Sequence, residues 1–201
     1  TRGLWWAGIY SGGNSYASLV YMTLATSGSV TVFGDALIGG WSARVDSSFA
    51  SPTRSLYKRG LASTTNDMVY VTIASTGNAT DFGDLSVTRT NMAGASSDTR
   101  GLWLGGNNGG TYYNVIDYVT IASTGNATDF GDLTTTTTEN QGSGSNIRAI
   151  RIGGASPQAG GSSTIDYVTI ASTGNVTDFG DVTSGGGQSG GATSHVHGGL
   201  S

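Results

Sequence analysis

The chain has 201 residues, no cysteine, 34 glycines, and 9 Lys plus Arg against 13 Asp plus Glu, for a net charge of −4. The lack of cysteine removes disulfide staples and thiolate metal sites. The acidic balance, with arginines spaced rather than clustered, argues against a nucleic-acid surface. No apolar run reaches the roughly 18 residues of a membrane-spanning helix, and the glycines follow no collagen period.

Along the chain one order of segments returns four times. The first module opens with TRGLWWAG (1–8), an apolar strand, followed by the loop IYSGGNSYAS and then YMTLATSGSVTVFGDA from Tyr21 to Ala36. The second has TRSLYKRG (53–60), the loop LASTTND, and YVTIASTGNATDFGDL from Tyr70 to Leu85. The third has TRGLWLGG (99–106), the loop NNGGTYYN, and the same sixteen residues again from Tyr118 to Leu133. The fourth has NIRAIRIGG (146–154), the loop GASPQAGGSST, and a copy from Tyr167 to Val182 in which one Ala and the Leu have become Val. The leading tyrosines are 49, 48 and 49 residues apart. Such a period marks a repeat architecture.

Each module reads as strands. Alternation puts Leu102 and Leu104 on one face and Trp103 on the other, and likewise Val119 and Ile121 against Tyr118 and Thr120. TGN is expected as a tight turn, with Gly125 free for a positive φ, after which ATDFGDL returns antiparallel. The polar stretch between modules supplies a weaker edge strand. Four strands per module of this length make a propeller blade. A lone sheet cannot bury both faces, so the blades must pack on one another. The expected fold is all-β: a β-propeller of four four-stranded blades, with modules at about 1–45, 46–92, 93–140 and 141–182, and 183–201 as a closing strand. The alternatives are an open stack of sheets, a β-solenoid, part of a larger propeller, or a ring completed by another chain.

The glycine pair Gly105-Gly106, then Tyr118, then Phe130 before a turn resembles the Kelch repeat. The first and fourth modules depart here, with Ala7-Gly8 in one and, in the other, Gly153-Gly154 preserved but followed by GASPQAGG without aromatics; the second has Arg59-Gly60. More narrowly, Ile116–Thr134 with Ser96–Gly106 upstream resembles Kelch-like repeats in structural proteins of marine and cyanobacterial tailed phages. That resemblance implies an exposed virion appendage, fibre or decoration, at the surface of an extracellular particle. It implies copies of itself or other virion proteins as partners, and brings no catalytic residues or cofactor.

The repeated acids Asp81/Asp84, Asp129/Asp132 and Asp178/Asp181 are weak calcium candidates and are otherwise acceptors in tight turns. Arg2, Arg54, Arg100 and Arg148 hold equivalent positions, suited to pairing with those acids or capping carbonyls between blades. Phe33, Phe82, Phe130 and Phe179 are structural repeat positions. Trp5 and Trp103 align, where the second module has Tyr57 and the fourth Ile150, a pattern of blade-to-blade packing. Recognition belongs on the variable loops, so Trp6, Tyr10, Tyr16, Trp41, Tyr112 and Tyr113 are the binding-surface candidates, toward a host-surface glycan or protein. His195 and His197 form a weak metal pair, and Asn78, Asn126 and Asn175 are glycosylation sequons on the hairpins. A glycan-cleaving enzyme would need two acids in one cleft outside the repeated positions, drawn from Asp46, Asp67, Asp98 and Glu139, with Asp117 and Asp166 repeated. The reading is therefore a non-enzymatic module, without cofactor, nucleic-acid partner or membrane insertion. A carbohydrate-binding propeller of cellular origin is the alternative.

Overall fold

The computed structural model describes residues 2–6, 9–11, 14–16, 18–26, 28–36, 47–59, 65–157 and 161–183, with the backbone alone at 6, 9–11 and 14–16. Every regular element among them is a β-strand. The first module contains β1 (Arg2–Trp6), β2 (Ile9–Ser11), β3 (Asn14–Tyr16), β4 (Ser18–Thr23) and β5 (Thr31–Asp35). The second contains β6 (Ser48–Ala50), β7 (Arg54–Lys58), β8 (Asp67–Thr72) and β9 (Thr80–Asp84). The third contains β10 (Ala93–Ser96), β11 (Arg100–Leu104), β12 (Asn107–Asn108), β13 (Thr111–Tyr112), β14 (Val115–Thr120) and β15 (Thr128–Asp132). The fourth contains β16 (Gln141–Gly144), β17 (Arg148–Ile152), β18 (Thr164–Thr169) and β19 (Thr177–Asp181).

Modules two, three and four each form a four-stranded antiparallel sheet, in the orders β6-β7-β8-β9, β10-β11-β14-β15 and β16-β17-β18-β19. The first forms a three-stranded sheet, β1-β4-β5, while β2-β3 and β12-β13 are separate two-stranded ribbons. The polar stretches between modules do supply strands, β6, β10 and β16, and β10 packs against both β6 and β16. The closing strand expected at 183–201 lies, apart from Thr183, outside the described residues.

The core lies between sheets. In the third module Leu102, Leu104, Ile116, Phe130 and Leu133 face forward, onto Ala149, Val168 and Ile170 of the fourth. Trp103, Val119 and Ile121 face backward, onto Phe49, Leu56, Met68 and Phe82 of the second. This is the period of two made physical: neighbouring residues of one strand belong to different cores, so the sheet is buried on both faces. A bulge recurs in every module. The register passes from Ile116↔Gly131 to Asp117↔Asp129, leaving Phe130 as the extra residue.

Three details differ from the sequence reading. The tight turn falls earlier than TGN, closing with Ser123 N–H donating to Thr120 C=O, and Thr124–Ala127 run alongside the preceding sheet. Gly125 does take a positive φ, 157°, and a Cβ there would meet nothing. The position that demands glycine is in the strand: Gly83 has φ 137°, and a Cβ on it would lie 2.4 Å from the Gly125 carbonyl oxygen. Finally, the fourth-module partner of Trp5, Tyr57 and Trp103 is Arg151, not Ile150, because Arg148 aligns with Arg100 and Arg151 pairs with Asp166 as Trp103 does with Asp117.

Candidate functional site

The most regular chemistry in the molecule is a clasp at each junction between modules. At the second junction, the Gly125 N–H donates to the Phe82 carbonyl and the Ala127 N–H to the Asp84 carbonyl, both at 2.7 Å. The Asn126 side-chain oxygen accepts from the Asp84 N–H at 3.0 Å. Arg54 reaches across and donates to the Ile121 carbonyl at 2.9 Å. Its guanidinium lies 4.5 Å over the Tyr70 ring, and that ring meets Phe82 edge-on at 5.8 Å.

The first and third junctions repeat these contacts. Gly77 and Gly174 donate to the carbonyls of Phe33 and Phe130. Asn78 and Asn175 accept from the N–H groups of Asp35 and Asp132. Arg2 and Arg100 donate to the carbonyls of Ile73 and Ile170. The repeated arginines thus cap carbonyls and stack on tyrosines, and none of them forms an ion pair with the repeated acids among the described residues. The asparagine of TGN, read only as part of a turn and a sequon, is a main-chain ligand of the preceding sheet.

The repeated acids divide by strand position. Asp81, Asp129 and Asp178 are exposed, and Asp178 accepts from the N–H of Gly180 two residues on. Asp84 and Asp132 offer their main chain to the clasp. No group of three or more His, Cys, Asp or Glu residues is placed to hold a metal ion among the described residues. His195 and His197 lie outside them, as do Asp46 and Trp41.

Sequence reasoning passed over a buried charge system. Asp117 and Asp166 stand at the bulge of the third and fourth modules, where the first two have Val20 and Val69. Arg89 and Asp117 pair at 2.7 Å with both side chains fully buried. Arg89 also donates to the Gly105 carbonyl at 2.8 Å, and Ser86 donates to Asp117 from its hydroxyl and its N–H. Arg151 pairs with Asp166, equally buried, and Thr134 donates to the same carboxylate. Charges removed from water hold only when partnered, and each of these is, although the Arg151 Nε is buried without a hydrogen-bond partner among the described residues. The sequence signal was IDY in two modules against V-Y in the others, with one extra arginine available to each. In the second module, the Tyr57 phenol donates to the Ala36 carbonyl. Burial raises its pKa above the ordinary value, with the Arg59 charge opposing this and Asp35 adding to it.

The variable loops hold the recognition candidates. Two of them fold into ribbons: β2-β3, with Ile9 opposite Tyr16 and Tyr10 opposite Ser15, and β12-β13, with Asn107 opposite Tyr112. The second turns through Gly109 and Gly110, at φ 54° and 92°, the two positive angles of a tight hairpin. Tyr112 and Tyr113 are half-buried. Tyr10 and Tyr16 are on one ribbon, Tyr112 and Tyr113 on or beside the other, and Trp6 ends β1. Clefts of about 210 and 120 Å³ recur beside the clasps, lined by Tyr118, Thr120 and Asn126 in one and Tyr70, Thr72 and Asn78 in the other. They are smaller than typical ligand pockets of roughly 300–1,000 Å³ and belong to the scaffold.

No family model and no curated protein matches the chain. Among solved structures, one described as "Structure of YjhT" superposes with a TM-score of 0.69 at 10% identity, over 90% of this chain and 68% of that one. That protein has a β-propeller-like fold, and at this identity the likeness bears on fold alone. The chain is an all-β protein of propeller-like architecture.

Proposed function

We propose that the four sheets are Kelch-like blades of a non-enzymatic structural module, carried as an appendage or decoration on a tailed-phage particle. Its variable loops contact a host-surface glycan or receptor. The observation that carries this reading is how the repeat uses its polar groups. Arg54, Asn126 and the main chain of Asp84 are consumed in holding one blade to the next. What varies between modules is the loop after the first apolar strand, on a scaffold that otherwise repeats. The near-identical sixteen-residue copies support the phage resemblance.

An antibody raised against the purified chain tests this by immuno-electron microscopy of particles from infected cultures. Labelling on the particle surface is the expected result. Abundant chain in infected-cell lysate with none on purified particles would overturn it.

A further inference from the structure

Among the described residues three clasps are closed, and each takes a forward half from one module and a backward half from the next. The fourth module carries a forward half with no described residue in it. Phe179 is 57% exposed, where Phe33, Phe82 and Phe130 are 2–3% exposed. A Cβ on Gly180 would meet nothing, whereas on Gly83 and Gly131 it would strike the carbonyl of the next module. The half is nevertheless assembled: Arg148 lies 4.5 Å over the Tyr167 ring, and that ring meets Phe179 edge-on at 5.9 Å.

The first module carries the matching backward half, also open. Trp5, Leu24 and Val30 are 45%, 56% and 53% exposed, while their equivalents Trp103, Ile121 and Ala79 are at most 5% exposed. One end thus presents an uncovered aromatic, and the other an uncovered apolar face of the kind that covers that aromatic at the closed clasps.

We infer that the chain associates head to tail with a second copy of itself, Leu24, Gly28 and Val30 of one copy seating on Phe179, Gly180 and Asp181 of the other. The occupant is another copy because the complement lies on this same chain, and because the contact is already made three times within it. The joint is heterologous, so it leaves one open face at each end of a dimer and extends with concentration. Ser29 stands where the closed clasps have Asn, so this joint lacks the amide oxygen that accepts from the Asp N–H, and a shorter hydroxyl takes its place, making it weaker than the internal ones. The inference does not depend on the virion reading.

Light scattering across the micromolar range tests it. The wild-type mass should rise from 20.3 kDa toward its multiples. Phe179→Asp and Leu24→Asp, both at exposed positions, should each remain at one chain mass. Mixed together they should form a pair of twice that mass and stop there, because each restores the half the other lacks. Ser29→Asn should tighten wild-type association roughly fivefold, the worth of about one hydrogen bond. A wild-type chain at single mass throughout, with Ser29→Asn also monomeric, would overturn the inference and point to a face covered within the chain. Continued association of either single variant would also overturn it, by placing the contact elsewhere.

Discussion

Phe130 and Phe179 sit in the same five residues, TDFGD, on equivalent strands. One is 3% exposed and the other 57% exposed. Nothing local distinguishes them. What differs is the neighbour: Phe130 has the hairpin of the fourth module against it, and Phe179 has no described residue in that place. A residue's contribution in a stacked repeat is therefore set by the interface it joins, more than by its own sheet.

That contrast is sharpest at glycine. Gly131 and Gly180 share nearly the same backbone, φ 148° and 140°, but a Cβ on Gly131 would sit 2.4 Å from the Gly174 carbonyl oxygen. Gly131→Val should cost more than about 4 kcal/mol or prevent folding. Gly180→Val should lose only the backbone strain of about 1–3 kcal/mol. Denaturant titration of the two variants measures the difference, and equal losses would mean that strain alone demands the glycine.

Next in size is the buried pair. Asp117→Val leaves Arg89 charged and unpartnered in the core, for an expected loss of about 3–5 kcal/mol. Adding Arg89→Met should recover most of it, since the second module has Val69 at this place. Phe130→Ala should cost about 3–5 kcal/mol, against about 1 kcal/mol or less for Phe179→Ala, which loses little beyond its Tyr167 contact. Comparable losses would show that the end face is covered in solution.

Smaller effects follow. Asn126→Ala should cost about 1 kcal/mol through the lost bond to the Asp84 N–H, while Ser29→Ala in the open hairpin should be neutral by thermal melting. The raised Tyr57 phenol gives a pH signature. The unfolded chain ionises it near the ordinary value of 10.0 and the folded chain does so only at higher pH, so stability should fall as pH rises above about 10. Tyr57→Phe should flatten that alkaline fall without restoring the hydrogen bond to Ala36.

The repeat made most of the fold legible. Tyrosine spacing set the module length, and strict alternation in GLWL and DYVTI assigned the two faces of each sheet. The edge strands β6, β10 and β16 were anticipated only as polar stretches, because they are held by neighbouring backbone and carry little apolar pattern of their own. Of the clasp, the arginine capping of carbonyls was legible, and the TGN half was not. TGN has the composition of a turn, and only the structure shows its Gly and Asn bound to the preceding module, a contact spanning more than forty residues. The Arg89–Asp117 pair was missed for a similar reason, since Arg89 comes from a linker and Asp117 from a strand of the following sheet; Arg151 and Asp166 are cross-strand partners in one sheet, and were missed with the misalignment at Ile150. The one-residue misplacement at Ile150 arose from aligning apolar character, where the module had replaced an aromatic with a buried arginine. The loop candidates remain a sequence-based choice, with Tyr112 and Tyr113 half-buried beside a ribbon and Trp41 outside the described residues.

The most direct test of the clasp is amide hydrogen exchange on dilute wild-type protein. The N–H groups of Gly77, Gly125 and Gly174 should be strongly protected, and that of Gly28 should exchange as an open loop. Protection of Gly28 equal to the other three at high dilution would contradict the account, showing that the first and last modules already meet within one chain.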